Sequence, residues 1–202
     1  MANNCDTHYI IECENQSKLD RIYEAVAKVN HPDYPQPQDG ATPYWTGNIF
    51  RELGLKYEND RSFWYAVDFI DDALHIYEDA AWTRGSAMSQ LVEQMNDPDN
   101  EDDTDLIVYF YTEEPGCEIY ESNDDCNIHF TAEYVLDTAE DTEYYDDFLQ
   151  LLSAVSDHVG QQLNFVDYDD LKDYLEDYNE QHQDDELWAH VHEIDYNASL
   201  WY

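Results

Sequence analysis

Apolar and polar side chains alternate through THYIIEC, residues 7–13, at the period of a half-buried strand. Leu19, Ile22, Val26 and Val29 then recur at helical spacing behind Asn15 or Ser17 as an N-cap. HPDYPQPQDGATP holds four of the six prolines and reads as a loop, and YWTGNIFRELGL predicts a short helix stopped by Gly54. SFWYAVDFI and ALHIYEDAAW predict two strands joined by a turn at Asp71 and Asp72. SAMSQLVEQMN predicts a second helix, and DPDNEDDTD an exposed loop, since nothing in it is cheaply buried.

LIVYFYTEE is the clearest strand of the chain; CEIYES pairs with it through a turn at Pro115 and Gly116, and NIHFTAEYVLD is expected to continue the same sheet. Two further helices follow. Phe148, Leu151, Leu152, Val155 and Val159 share one helical face, and Leu171, Tyr174, Leu175 and Tyr178 another. The tail DELWAHVHEIDYNASLWY fits helix or strand, with helix favoured at its start. Strand, helix, strands, helix, strands, helices is the order of an α+β sandwich, a mainly antiparallel sheet covered by helices.

Charge changes this picture. The 202 residues carry 48 Asp and Glu against eight Lys and Arg, a formal net charge of −40. Residues 1–90 hold 15 acidic and seven basic side chains, whereas residues 91–202 hold 33 acidic and a single basic one, Lys172. Such a polyanion repels nucleic acid and anionic membrane, and it costs self-repulsion in the folded state. Forty-three per cent apolar residues, with 18 Tyr and five Trp, still suffice for a packed core. No run approaches the ~18 apolar residues of a membrane helix. MANNCDTHYI lacks the basic and apolar regions of a signal peptide, and Cys5, Cys13, Cys117 and Cys126 form no CxxC pair, so reduced thiols in a cytosol are expected.

Four blocks in order, MANNC at the start, WTGNIFRELG at 45–54, EDAAW at 78–82 and YFYTEEPGCEIYESND at 109–124, resemble the YubB-type ferredoxin-like proteins of phages, plasmids and conjugative elements. The resemblance spans about residues 1–135. It implies a ferredoxin-like α+β domain, taken as 1–138, and a mobile-element source; residues 139–202 lie beyond it and read, from their own spacing and charge, as an acidic, mainly helical extension packed on that domain. The resemblance implies no activity and no cofactor.

Among segments that carry chemistry, the predicted helix at 167–181 stands out. Asp170, Asp173, Asp177 and Glu180 follow at i, i+3, i+7 and i+10, one stripe beside the apolar face. Their axial spacing, about 4.5–6 Å, is comparable with phosphates along a DNA strand, whose rise is about 3.4 Å. DPDNEDDTD has carboxylates at alternate positions, but Asp102 stands where a calcium loop needs Gly and Val108 where it needs Glu. His190 and His192 share a face only in a strand, and no HExxH accompanies them. Cys117 lies among Glu113, Glu114 and Glu118, which disfavour a thiolate.

The residues therefore predict a non-enzymatic protein that needs no cofactor or metal. It would imitate nucleic-acid phosphates and block a basic nucleic-acid-binding protein of host defence, such as a restriction or CRISPR enzyme, in the host cytoplasm. The expected partner-binding residues are Glu113, Glu114, Glu118, Glu121, Asp124, Asp125, Asp146, Asp147, Asp169, Asp170, Asp173, Glu176, Asp177 and Glu180, with Tyr174 as an aromatic contact. No direct nucleic-acid or membrane partner is expected, and homodimerisation stays open. The alternatives are halophilic adaptation, which predicts acid spread evenly over the chain, and a divalent-cation-binding module.

Overall fold

A computed structural model describes residues 4–35, 42–58, 61–81, 86–96, 105–182 and 187–196. The chain forms two compact units that divide between Asp125 and Cys126.

In the first unit, β1 (Asn4–Glu12) leads into α1 (Gln16–Val29), whose first turn is capped by Asn15 Oδ1 accepting from the Ser17 amide at 3.2 Å. α2 (Gly47–Leu53) ends at Gly54, which takes the left-handed conformation (φ 75°) that glycine adopts without a steric cost. β2 (Ser62–Ile70) and β3 (Ala73–Ala81) meet at Asp71 and Asp72, both at positive φ, the twist that a two-residue hairpin requires. α3 (Ser86–Met95) and β4 (Ile107–Glu114) follow. A single 3-10 turn at Pro115–Cys117, closed by Glu118 at φ 55°, then leads to β5 (Ile119–Ser122).

All pairings are antiparallel and the sheet order is β2-β3-β1-β4-β5. Without α2 and β5 the chain runs β-α-β-β-α-β with order 2-3-1-4, an arrangement compatible with a ferredoxin-like sandwich. Strand alternation sends Tyr9, Ile11, Leu74, Ile76 and Phe110 to one face, where they pack with Leu19, Ile22 and Val26 of α1 and Met88 and Leu91 of α3.

Gly47 has a packing role rather than a conformational one. A Cβ there would collide with the six-membered ring of Trp45, whose other contacts include the Arg51 guanidinium at 5.8 Å. Gly47→Ala is expected to cost about 1–3 kcal/mol by displacing that ring, measurable as a lowered urea midpoint with an unchanged m-value.

The second unit begins at Cys126 and holds the two helices expected over 139–202 together with a sheet that was not expected there. It has its own antiparallel sheet, β7-β6-β8, from β6 (Tyr134–Thr138), β7 (Thr142–Tyr145) and β8 (Ala189–Glu193). α4 (Phe148–Val159) and α5 (Tyr168–Gln181) cover it, burying Leu151, Val155, Leu171 and Leu175 against Leu136, Ala189 and Val191. NIHFTAEYVLD thus does not continue the first sheet. Residues 127–133 form no strand, and β6 pairs with β7 and β8 instead. The tail's Leu187 and Trp188 are not helical, and β8 begins at Ala189 because Ala189 and Val191 alternate inward. Asn179 fixes this arrangement: its Nδ2 donates to the Ala189 carbonyl at 2.8 Å and its Oδ1 accepts from the Ala189 amide at 3.0 Å.

No helix among the described residues is long and apolar enough to cross a membrane.

Candidate polyanionic interface

α5 begins at Asp167, whose Oδ1 accepts from the Asp170 amide at 3.0 Å, and Asp169 and Asp170 lie in its first turn. These three carboxylates have a local reason to be there: they satisfy an otherwise unpaired amide and oppose the positive end of the helix dipole. Leu171 and Leu175 face the core, and Asp169, Asp170, Lys172, Asp173, Glu176, Asp177 and Glu180 are all exposed. The stripe at 170, 173, 177 and 180 therefore projects to solvent, and none of its members meets a Lys or Arg among the described residues.

The C-terminal half of α5 is the informative part. Glu176, Asp177 and Glu180 occupy the end where the dipole is negative, and no basic residue stands in the last turn. Asp169 with Asp173, Asp173 with Asp177, and Glu176 with Glu180 are like charges at i and i+4. Folding alone would favour neutral or basic residues at these positions. Substituting Glu176, Asp177 and Glu180 by their amides is expected to raise stability by a few tenths of a kcal/mol per site. Thermal unfolding at low ionic strength reads this out, and the gain should shrink in high salt.

Tyr174 does not stand out among the acids. Its ring is half-buried against Phe165 (centroids 5.4 Å apart) and Tyr178 (6.3 Å), and Tyr178 in turn stacks on His182 at 4.1 Å. The tyrosines of this helix fill the flank between its apolar and acidic faces, so Tyr174 packs on its neighbours with part of its ring still open to solvent.

Asp146 and Asp147 are exposed, but both are engaged locally. Asp146 accepts from Thr131 Oγ1 at 3.0 Å, and Asp147 caps α4, accepting from the Gln150 amide at 2.9 Å and from Gln150 Nε2 at 3.0 Å.

In the first unit the expected acids separate by face. Alternation along β4 turns Glu114 to the core side, where it is 9% exposed and accepts from Cys5 Sγ at 3.3 Å. Asp124, 1% exposed, is likewise buried. These two leave the candidate interface, because a carboxylate withdrawn from solvent cannot meet a partner's cation. Glu113 and Glu121 are half-buried, Glu113 accepting from the Tyr111 hydroxyl at 3.2 Å, and Glu118 and Asp125 are exposed.

One acid that the sequence pattern did not single out is the most buried of all. Glu78 is 0% exposed; its Oε2 accepts from the Tyr9 hydroxyl at 2.7 Å and its Oε1 from Thr46 Oγ1 at 2.7 Å, with Ser62 Oγ as a third donor. Burial pushes its carboxyl upward from the ordinary range against the opposing pull of these three hydroxyls, and it pushes the Tyr9 phenol up as well. With both carboxylate oxygens accepting from hydroxyls, this group ties β3 to β1, to β2 and to Thr46 at the start of α2.

β8 does place His190 and His192 on one face, rings 6.5 Å apart, but among the described residues no three His, Cys, Asp or Glu side chains are grouped to hold a metal. Most of DPDNEDDTD, residues 97–104, lies outside the described residues. No family model, no curated protein and no solved structure matches the chain.

Proposed function

We propose that the protein is a phage- or mobile-element-encoded inhibitor of YubB type that acts without catalysis. It would present carboxylates in place of nucleic-acid phosphates to the basic groove of a host nucleic-acid-binding defence protein, in the host cytoplasm. The observation that carries this reading is the C-terminal half of α5, where Glu176, Asp177 and Glu180 stand exposed and unneutralised at the helix end that disfavours them. A partner rich in Arg and Lys would relieve that repulsion on binding and would be drawn in by the field of the whole chain.

The blocks in common with the YubB-type proteins and the 2-3-1-4 strand order support the family assignment. The concentration of acid beyond residue 90 favours a directed surface over halophilic adaptation.

The test is direct binding to candidate restriction and CRISPR nucleases. Affinity should fall steeply between low and high salt, and duplex DNA should compete for the same site. Binding that is insensitive to salt, or that proceeds alongside DNA, contradicts mimicry.

A further inference from the structure

The second unit contains a cavity of about 380 Å³ between the starts of α4, α5 and β6 and the end of β8. Three rings line it: Tyr134, Phe148 and Tyr168. Their centroids lie 6.1 Å apart for Tyr134 and Phe148, at an edge-to-face angle of 62°, and 6.0 Å apart for Tyr134 and Tyr168 at 31°. Three carboxylates, Asp167, Asp169 and Glu193, and Val166 make up the rest of the lining, and all four are exposed.

Each ring is held by an identifiable contact. Tyr134 sits in the central strand of the sheet, directly opposite Glu193 of β8. Tyr168 donates its hydroxyl to the Val191 carbonyl at 2.7 Å, which fixes the ring plane against the strand. Phe148 opens α4 behind its cap, Asp147. Val166, 86% exposed, borders the cavity from the segment before α5. An apolar side chain left so open at the rim of an aromatic cavity gains nothing from folding.

The chemistry of this lining is specific. The faces of aromatic rings carry partial negative charge and attract cations, and the surrounding carboxylates add formal charge. Burial raises the Tyr134 phenol, and Glu193, Glu133 and Asp147 raise it further, so their negative field reaches the ring's polar end. Neither a phosphate nor a carboxylate ligand fits such a site. A cation cannot lie between Tyr134 and Tyr168, because two van der Waals layers need roughly 7 Å; it must lie flat over the rings. A guanidinium does this, stacking by its face while its in-plane N–H groups reach carboxylates at the rim, whereas an ammonium is a compact, strongly hydrated charge.

We propose that this cavity is a binding site for a guanidinium group, the side chain of an arginine. The inhibitor reading supplies the source of that arginine, a basic partner protein, and on that reading the cavity is an anchor point beside the acidic face of α5; the ring-and-carboxylate chemistry stands apart from it.

Titration of the intact protein with N-acetyl-arginine amide, followed by NMR on the Tyr134, Phe148 and Tyr168 ring signals, tests the site. Saturable shifts confined to those rings are expected. N-acetyl-citrulline amide, its neutral isostere, should produce none, and N-acetyl-lysine amide should bind more weakly. Phe148→Leu and, separately, the surface change Glu193→Gln should each weaken arginine about three- to fivefold, whereas general attraction by the net charge would leave the Phe148→Leu affinity unchanged. Shifts spread over the surface, equal response to citrulline, or lysine binding as tightly as arginine overturns the assignment. Because the probe is a free amino-acid derivative, failure here leaves nuclease binding by α5 untouched, and loss of nuclease binding leaves this titration unaffected.

Discussion

Reversing Asp170, Asp173 and Asp177 together to Lys is expected to weaken binding to a basic nuclease on the order of a hundredfold or more, because close charge pairs across such interfaces couple by about 1.5 kcal/mol or more. All three are exposed on α5 and none lies in the apolar face formed by Leu171 and Leu175, so the fold should survive. Reversal makes the 169–173 pair and the 177–180 pair attractive and puts a cation at position 177 near the negative end of the dipole, whereas the 170–173 and 173–177 pairs stay like-charged and position 170 gives up a first-turn carboxylate that suits the dipole. The net effect on stability should be small. Loss of binding therefore cannot be put down to unfolding, which circular dichroism on the same sample would verify. Most of the effect should appear at low salt and in the association rate. Unchanged affinity in the triple variant would falsify the mimic reading for α5.

Glu78→Ala is the substitution with the largest expected cost to stability, roughly 3–5 kcal/mol. It leaves the hydroxyls of Tyr9 and Thr46 without their acceptor in a site closed to water, leaves Ser62 Oγ only Thr46 Oγ1 at 3.0 Å, and opens a void beside the core. Glu78→Gln keeps one acceptor oxygen and the volume, and should cost less than half as much. Chemical denaturation of both variants measures the difference, and an Ala variant within about 0.5 kcal/mol of the parent, the range of ordinary surface changes, would show that the network is dispensable.

Glu78 also sets a pH dependence of unusual sign. Its folded-state carboxyl is raised, chiefly by burial, so the native state holds the proton more tightly than the unfolded chain does. Stability then falls as pH rises from the ordinary Glu range through the raised value, and is flat above it. Acidification from neutral pH back through that window should stabilise the protein. Relief of repulsion among the other carboxylates acts in the same direction, so the profile of the parent minus that of Glu78→Gln isolates the buried group.

Local pattern was a good guide to the elements themselves. The Asn15 cap, the Gly54 stop, the Asp71–Asp72 turn and the helices behind Asp147 and Asp167 are all set by residues within a few positions of one another, which is why they could be read directly. Pairing was less legible. The apolar residues of β6 and β8 signal strands or short helices equally, and only contact across some 55 residues makes Leu136 and Val191 neighbours. Glu78 could have been found: Leu74, Ile76, Glu78 and Ala80 alternate on one face of β3, so an acid stood on a core face in plain view. Glu114 follows from the same rule applied to β4, and Asp124 follows from none.

What the sequence determined by itself is the excess of acid, its concentration beyond residue 90 with almost no basic residue to balance it, the element types and the acidic stripe of α5, because composition is a sum and helical spacing is a property of neighbours. The tertiary structure decided which carboxylates reach solvent, that the unit beginning at Cys126 builds a sheet of its own, and that Tyr134, Phe148 and Tyr168 meet around one cavity. Each of these depends on contacts between residues far apart in the chain, whose pairing is selected by the burial of whole faces and is written in no single segment.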